Sequence, residues 1–323
     1  MQKIIIDTDP GIDDAQAIAF AVAHPEIDLL GLTTVFGNAS IDVTTNNALL
    51  ILEQFGQPLL PVAKGAAKPL HQKPYPAPDF VHGKDGLGNL ELPAATASAI
   101  EETAAEFIVR SSAEQPGELS LVAIGPLTNI AQAVSLDPQL PSRVKQLVVM
   151  GGSLDQPGNV TPLAEANFFN DPHAADDVLA DDWPVVVIGL DVTMQTLLYE
   201  QDLAEIRDQS GSVGQFLWDS GQFYLDFYAS TLSPEDPSKR RCAMHDASAL
   251  VYLVAPNLFK LASGPARVIN EGMASGQLSV DQRKIPYMLD HWSARPDCRV
   301  ALDVASQDVI NLFKNTITSH VFR

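Results

Sequence analysis

The sequence predicts an α/β fold: a doubly wound, mostly parallel central sheet flanked by helices, a Rossmann-like core with its active site at the carboxyl ends of the strands. Three observations predict it. Short apolar runs alternate with segments of helical periodicity along the chain. The runs are rich in Val, Ile and Leu without polar alternation, as expected of parallel strands covered on both faces. The residues just past each run are small or polar, and in this architecture ligands bind outside the strand ends.

The elements follow in order. Ile4–Ile6 is the first strand and Asp13–Ala23 the first helix. The run Asp28–Phe36 is a second strand, followed by a helix over Asp42–Phe55. Pro69–Asp79 is Pro-rich and reads as a surface connection near a site, not as a domain boundary. A helix over Ala97–Ser112 leads to the strand Leu119–Ile124, and a helix over Asn129–Leu136 to the strand Gln146–Met150. The helix Asp171–Ala180 precedes the strand Pro184–Leu190. Gln201–Leu232 is a helical stretch carrying Phe216, Trp218, Phe223, Tyr224, Phe227 and Tyr228. Ser233–Arg241 is a polar, Pro-containing loop, Leu278–Asp303 reads as strands and turns, and Val304–Ile317 as a last helix. No internal repeat, low-complexity tract or linker interrupts the pattern, so residues 1–323 read as one domain.

Composition narrows the function classes. The chain has 323 residues, 46% hydrophobic and 19% charged, enough for a substantial core. A formal net charge of −20 argues against nucleic acid or an anionic membrane as a partner. No run is long and apolar enough to span a membrane, and no basic n-region precedes an apolar stretch at the N-terminus. Cys242 and Cys298 are too few for a disulfide framework, which points to free thiols in a reducing cytoplasm.

The chemistry concentrates in Ile4-Ile5-Ile6-Asp7-Thr8-Asp9-Pro10-Gly11-Ile12-Asp13-Asp14. Alternation along the strand end puts Asp7 and Asp9 on one side, and the Pro-Gly turn returns Asp13 and Asp14 over them. Four acids at the end of a buried strand repel one another unless a positive charge lies among them, and a divalent cation held by oxygen ligands supplies it. First-turn helix acids complementing the helix dipole would account for Asp13 and Asp14, but not for Asp7 and Asp9.

Other segments are ambiguous alone. His245-Asp246 precedes an apolar-periodic stretch; Asp246 reads equally as an early helix acid and His245 as a structural histidine. The loop 158–167 carries Asn159, Glu165 and Asn167, side chains that grip sugar hydroxyls or satisfy loop backbone. Val81–Gly88 is Gly-rich but lacks the context of a phosphate loop, and reads as a mobile lid.

Taken together, these segments resemble the inosine-uridine nucleoside hydrolase family over essentially the whole chain. The resemblance is carried by Asp7-Thr8-Asp9-Pro10-Gly11-Ile12-Asp13-Asp14-Ala15, Thr33–Asn38, His82-Gly83, Gly125-Pro126-Leu127-Thr128-Asn129-Ile130, Val149-Met150-Gly151-Gly152, Gly158-Asn159, Ala164–Asn167, Asp171-Pro172, Gly189–Thr193 and His245-Asp246, in that order. It implies Ca²⁺ held by the carboxylates of Asp9, Asp14 and Asp246 and the main-chain carbonyl of Thr128, with Asp7 supporting them from behind. It implies Asp13 as general base and His245 as proton donor to the leaving base, in a hydrolysis of ribonucleosides through an oxocarbenium-like state. Asn38, Asn159, Glu165 and Asn167 would hold the ribose hydroxyls, Met150 would contact the substrate, and His82, Tyr224 and Tyr228 would close around the nucleobase, although core packing accounts equally well for the two tyrosines. A homodimer or homotetramer is also implied.

Two departures from the family pattern concern specificity. Ala166 stands where the family carries Phe, and Lys84-Asp85-Gly86 follows His82-Gly83 where Glu-Ser is common before the last Gly. A Mg²⁺-dependent haloacid-dehalogenase-type phosphatase also opens on Asp-x-Asp, but it needs Thr or Val where Gly11 stands and has no use for Asp13-Asp14. A non-enzymatic Ca²⁺-dependent nucleoside binder would not need Asp13 or His245.

Overall fold

The computed structural model of the chain describes residues 1–232, 235–236, 239–283 and 290–322. Its strands are β1 (Gln2–Thr8), β2 (Ile27–Thr34), β3 (Val62–Lys64), β4 (Leu119–Ala123), β5 (Gln146–Met150), β6 (Val185–Ile188), β7 (Leu197–Tyr199), β8 (Arg241–Ala243), β9 (Phe259–Val268), β10 (Leu278–Val280) and β11 (Asp297–Val304). Nine form one sheet in the order β10-β9-β11-β6-β5-β4-β1-β2-β3, and β7 pairs with β8 separately. From β3 to β11 every pairing is parallel; β9 and β10 add two antiparallel pairings at one edge. The run β3-β2-β1-β4-β5-β6 is the doubly wound order, whose direction reverses between β1 and β4. The loops after those two strands therefore part, and a crevice opens between them.

Strand alternation builds the two core layers. Ile4 and Ile6 face one side of β1 and pack with Ile12, Ile18 and Phe20 of the helix Ile12–Ala23. Ile5 faces the other side and packs with Leu121, Leu147 and Ile130. With both faces covered, β1, β4, β5 and β6 need no polar residues facing out, which accounts for their unbroken apolar runs.

All five predicted strands and most predicted helices are present, with three informative differences. The helix predicted from Ala97 begins at Ala104, where Thr103 accepts from the Glu106 amide while the Glu106 carboxylate accepts from the Thr103 amide. This capping box starts the helix and leaves Ala97–Glu102 outside it. The helical stretch Gln201–Leu232 is two helices, Glu200–Gln209 and Gly211–Leu232, broken at Gly211, whose φ of +58° suits glycine. Val304 closes β11, and the last helix is Ser306–Ser319. Of the predicted loop Ser233–Arg241, residues 233–234 and 237–238 lie outside the described residues, and Arg241 opens β8. Within Leu278–Asp303, residues 284–289 likewise lie outside them. No described helix is long and apolar enough to cross a membrane.

The capping box yields a direct check. Thr103→Ala is expected to destabilise the fold by about 1 kcal/mol in urea unfolding. Ser98→Ala, in the exposed stretch before the helix, is expected to change stability by less than about 0.5 kcal/mol.

Candidate active site

A cavity of about 390 Å³ opens at the carboxyl ends of the central strands, within the size range of small-molecule sites. Asp13, Asn38, His82, Met150, Asn159, Glu165, Asn167, Tyr224, Tyr228, His245 and Asp246 all line it. Residues more than 200 positions apart are thus gathered by the parallel topology.

Three of the acids converge. One carboxylate oxygen from each of Asp13, Asp14 and Asp246 lies within 4.8 Å of the other two, and all three residues are buried. Asp14 is held from three sides. Thr8 Oγ1 donates to Oδ1, and the Gly11 amide (2.8 Å) and Asn38 Nδ2 (3.1 Å) donate to Oδ2. The Asn38 amide donates to Asp9 Oδ2 at 2.8 Å. Asp9 fits only because its neighbours are glycines: a Cβ on Gly37 would lie 2.0 Å from its Oδ2, and one on Gly125 2.6 Å from its Oδ1. Asp7 lies behind, accepting from Thr33 Oγ1 (2.6 Å) and Asn129 Nδ2 (2.7 Å).

Three oxygens in this group are buried with no hydrogen-bond partner: Asp7 Oδ2, Asp9 Oδ1 and Asp13 Oδ1. No hydrogen bond reaches the Asp246 carboxylate among the described residues. Burial pushes the pKa of Asp7 up to about 7. Burial raises Asp13 to about 6; burial and repulsion from neighbouring acids raise Asp14 to about 6 and Asp9 and Asp246 well above the usual carboxylate range. A cluster of buried, mutually repelling hard oxygens, three of them unpartnered, fits a divalent cation such as Ca²⁺ or Mg²⁺; among the described residues no Lys or Arg forms an ion pair with these acids.

Asp13 is held at one oxygen and free at the other. Tyr224 Oη donates to Oδ2 at 3.0 Å, and Oδ1, without a hydrogen-bond partner, lies 3.9 Å from His82 Nδ1. His82 Nδ1 accepts from the Ile12 amide, so its proton resides on Nε2, and burial pushes its pKa down to about 4. Tyr228 Oη lies 2.6 Å from His245 Nε2, and His245 Nδ1 lies 2.8 Å from Thr193 Oγ1. Burial keeps His245 neutral, its pKa down at about 4. Tyr224 and Tyr228 are four residues apart on one helix, share its inner face and contact each other edge to face at 4.9 Å.

Two features lie differently from the expectation. Thr128 does not line the cavity. It is the first residue of the helix Thr128–Leu136, and its hydroxyl donates to Asp171 Oδ2 at 2.7 Å. Ile124, just past β4, lines the cavity instead, and its carbonyl accepts from Asn167 Nδ2 at 3.0 Å. Nor is Val81–Gly88 a loose lid. The Asp85 carboxylate accepts from the amides of Leu87, Asn89 and Glu91, and the Asp85 carbonyl accepts from Asn47 Nδ2, which also bonds the Pro10 carbonyl. The loop is a brace that fixes His82 against the first helix.

Glu165 serves the fold as well as the cavity. Its carboxylate accepts from the amides of Gly152, Asn167 and Phe168, capping the helix Ala166–Asn170. A carboxylate offers about four acceptor positions, so one remains for a ligand hydroxyl. Burial raises its pKa to about 7. Asn159 Oδ1 accepts from the Ala166 amide, and Asn167 Nδ2 also donates to the Met150 carbonyl. The backbone of the Ala-Glu-Ala-Asn stretch is therefore held despite the small side chain at 166. Thr193, the last residue of the Gly189–Thr193 motif, supports His245, and Tyr75 and Phe169, which no motif marked, also line the cavity.

The family model for inosine-uridine preferring nucleoside hydrolase matches residues 4–311. The chain belongs to this family. A probable uridine nucleosidase of Oryza sativa subsp. japonica is 42% identical over 316 residues, 98% of this chain and 96% of that protein. A solved plant nucleoside hydrolase superposes with a TM-score of 0.92 at 35% identity, covering 98% of this chain and 99% of that one. A purine-preferring ribonucleoside hydrolase from Gardnerella vaginalis superposes with a TM-score of 0.89 at 33% identity, covering 98% of both chains.

The raised carboxylates yield a prediction for this nucleoside hydrolase. Without a cation, groups whose pKa is higher in the folded than in the unfolded chain contribute stability that is full below about pH 4 and is lost as pH rises through about 6 to 7. The chelated protein is expected to melt higher at about pH 5 than at about pH 8, and saturating Ca²⁺ to raise Tm more at the higher pH. Thermal scans at both pH values check this; a Tm indifferent to chelator and Ca²⁺ would contradict it.

Proposed function

We propose that the chain hydrolyses the N-glycosidic bond of ribonucleosides bearing pyrimidine or purine bases, giving ribose and the free base. The observation that carries the reading is Asp13: a buried carboxylate anchored by Tyr224 at one oxygen and unpartnered at the other, facing a cavity lined by amides and imidazoles. The family and the relatives named for uridine and for purine ribonucleosides support the substrate class.

Asp9, Asp14, Asp246 and the carbonyl of Ile124 would hold a divalent cation, and Ca²⁺, with its flexible oxygen coordination, would suit three carboxylates and a carbonyl. When bound, it neutralises the clustered acids and lowers the pKa of a water at the site.

The protein's own groups do the rest. Asp13 Oδ1 takes the proton of the attacking water, and the Tyr224 hydroxyl keeps the carboxylate turned toward it. Asn38, Asn159 and Asn167 hold the ribose hydroxyls. The Glu165 carboxylate, locked by three amides, stabilises positive charge developing on the sugar. Tyr228 Oη and His245 Nε2, 2.6 Å apart, hold the proton that the departing base receives. Thr193 orients His245 from the opposite nitrogen.

Ribose release from inosine, uridine, cytidine and 2′-deoxyinosine tests the reading. Asp13→Ala is expected to lower kcat by about 10²- to 10⁴-fold while nucleoside affinity is kept. The deoxy substrate is expected to be much slower. No ribose from any ribonucleoside, or full turnover by Asp13→Ala, would overturn it.

A further inference from the structure

The cavity changes character from floor to mouth. At the floor Asp13, Asp14 and Asp246 are at most 7% exposed, and the phenol and imidazole groups above them already have polar partners. At the mouth the lining is apolar: Tyr75, 50% exposed, comes from the irregular segment 71–78, Phe80, 67% exposed, from the short helix Asp79–His82, and Phe169 and Phe227 face them from two further helices.

Tyr75 stacks on Phe169, with ring centroids 4.5 Å apart and planes 27° from parallel. The segment that carries Tyr75 is tied down beside this pair. Gln72 Nε2 donates to the carbonyls of Phe169 (3.0 Å) and Asn170 (2.9 Å), and the Leu70 amide donates to Asp171 Oδ2 (2.9 Å). The fastening therefore lands on the very residue that Tyr75 covers. Opposite, Phe80 lies 6.0 Å from Phe227. At position 166 the helix presents only a methyl to the cavity.

We infer that Tyr75, stacked on Phe169 and held there by Gln72, is a specificity-determining residue whose ring pair forms the outer wall against which the nucleobase rests. The inference deepens the ribonucleoside reading and rests on it for the identity of the ligand. The Tyr75 hydroxyl makes no hydrogen bond among the described residues, so the wall offers ring surface and not a donor–acceptor pattern. It reads contact area: a purine covers more of it than a pyrimidine. It stands at the mouth, away from the buried acids, so it contributes equally to ground and transition states and acts on KM, not kcat. Gln72 is a positioning residue, acting only through Tyr75.

The test pairs kinetics with binding for inosine and uridine. Tyr75→Ala is expected to raise KM for inosine about tenfold at unchanged kcat, with a smaller rise for uridine. Tyr75→Phe is expected to match the unsubstituted protein, and Gln72→Ala to shift KM in the same direction by less. Calorimetric titration of Asp13→Ala, with and without Tyr75→Ala, is expected to show the same preferential loss for inosine. An unchanged inosine affinity, an equal loss for both nucleosides, a fall in kcat alone, or binding of neither nucleoside would overturn the inference. Binding of both nucleosides with no ribose released by the unsubstituted protein would contradict the hydrolase reading alone, and the titrations would still decide the role of Tyr75.

Discussion

The constraint on which the rest of the structure depends is the burial of Asp7, Asp9, Asp13, Asp14 and Asp246 together, with repulsion among Asp9, Asp13, Asp14 and Asp246. A carboxylate taken from water without a partner is costly, and neighbouring like charges add to the cost. The fold offsets part of it with hydrogen bonds: Thr8, Gly11 and Asn38 to Asp14, Thr33 and Asn129 to Asp7, Tyr224 to Asp13. It leaves one oxygen on each of Asp7, Asp9 and Asp13 without a donor. A purely structural cluster would satisfy them all. The unsatisfied remainder is what gives the site its demand for a cation and Asp13 its free basic oxygen.

The topology explains why the acids can be gathered. At the reversal between β1 and β4 the chain leaves the sheet in opposite directions, so the ends of adjacent strands are not covered by their own crossover helices. Asp7 and Asp9 arise at the end of β1, Ile124 at the end of β4 and Met150 at the end of β5. The roof has a different origin. Tyr224 and Tyr228 descend from one long helix and His82 from a braced loop, so the floor can stay rigid while residues at the mouth adapt to different bases.

Much of the floor was legible in the sequence because its signals are local. Asp7 through Asp14 lie within one strand-turn-helix unit, and strand alternation alone puts the acids together. The pairing of His245 with Tyr228 was not legible, since it depends on how a distant helix packs. The resemblance named the main-chain carbonyl of Thr128, whereas the residue just past β4 that lines the cavity is apolar Ile124; main-chain atoms leave no mark on residue type. The Gly-rich loop looked mobile because glycine permits many conformations, whereas Asp85 uses that freedom to collect three amides. β9 escaped notice because Lys260, Ser263, Gly264 and Pro265 interrupt its apolar pattern, as the side chains of a partly exposed strand near a sheet edge can.

The central claim is that the buried acids form a cation site shared with the sugar. Calorimetric titration of the chelated protein with Ca²⁺, with and without ribose, tests it most directly. The account predicts one saturable site per chain whose affinity rises when ribose is present, because the two ligands share the cavity floor. Absence of a saturable site, or a Ca²⁺ affinity unchanged by ribose and by Asp246→Ala, would contradict it.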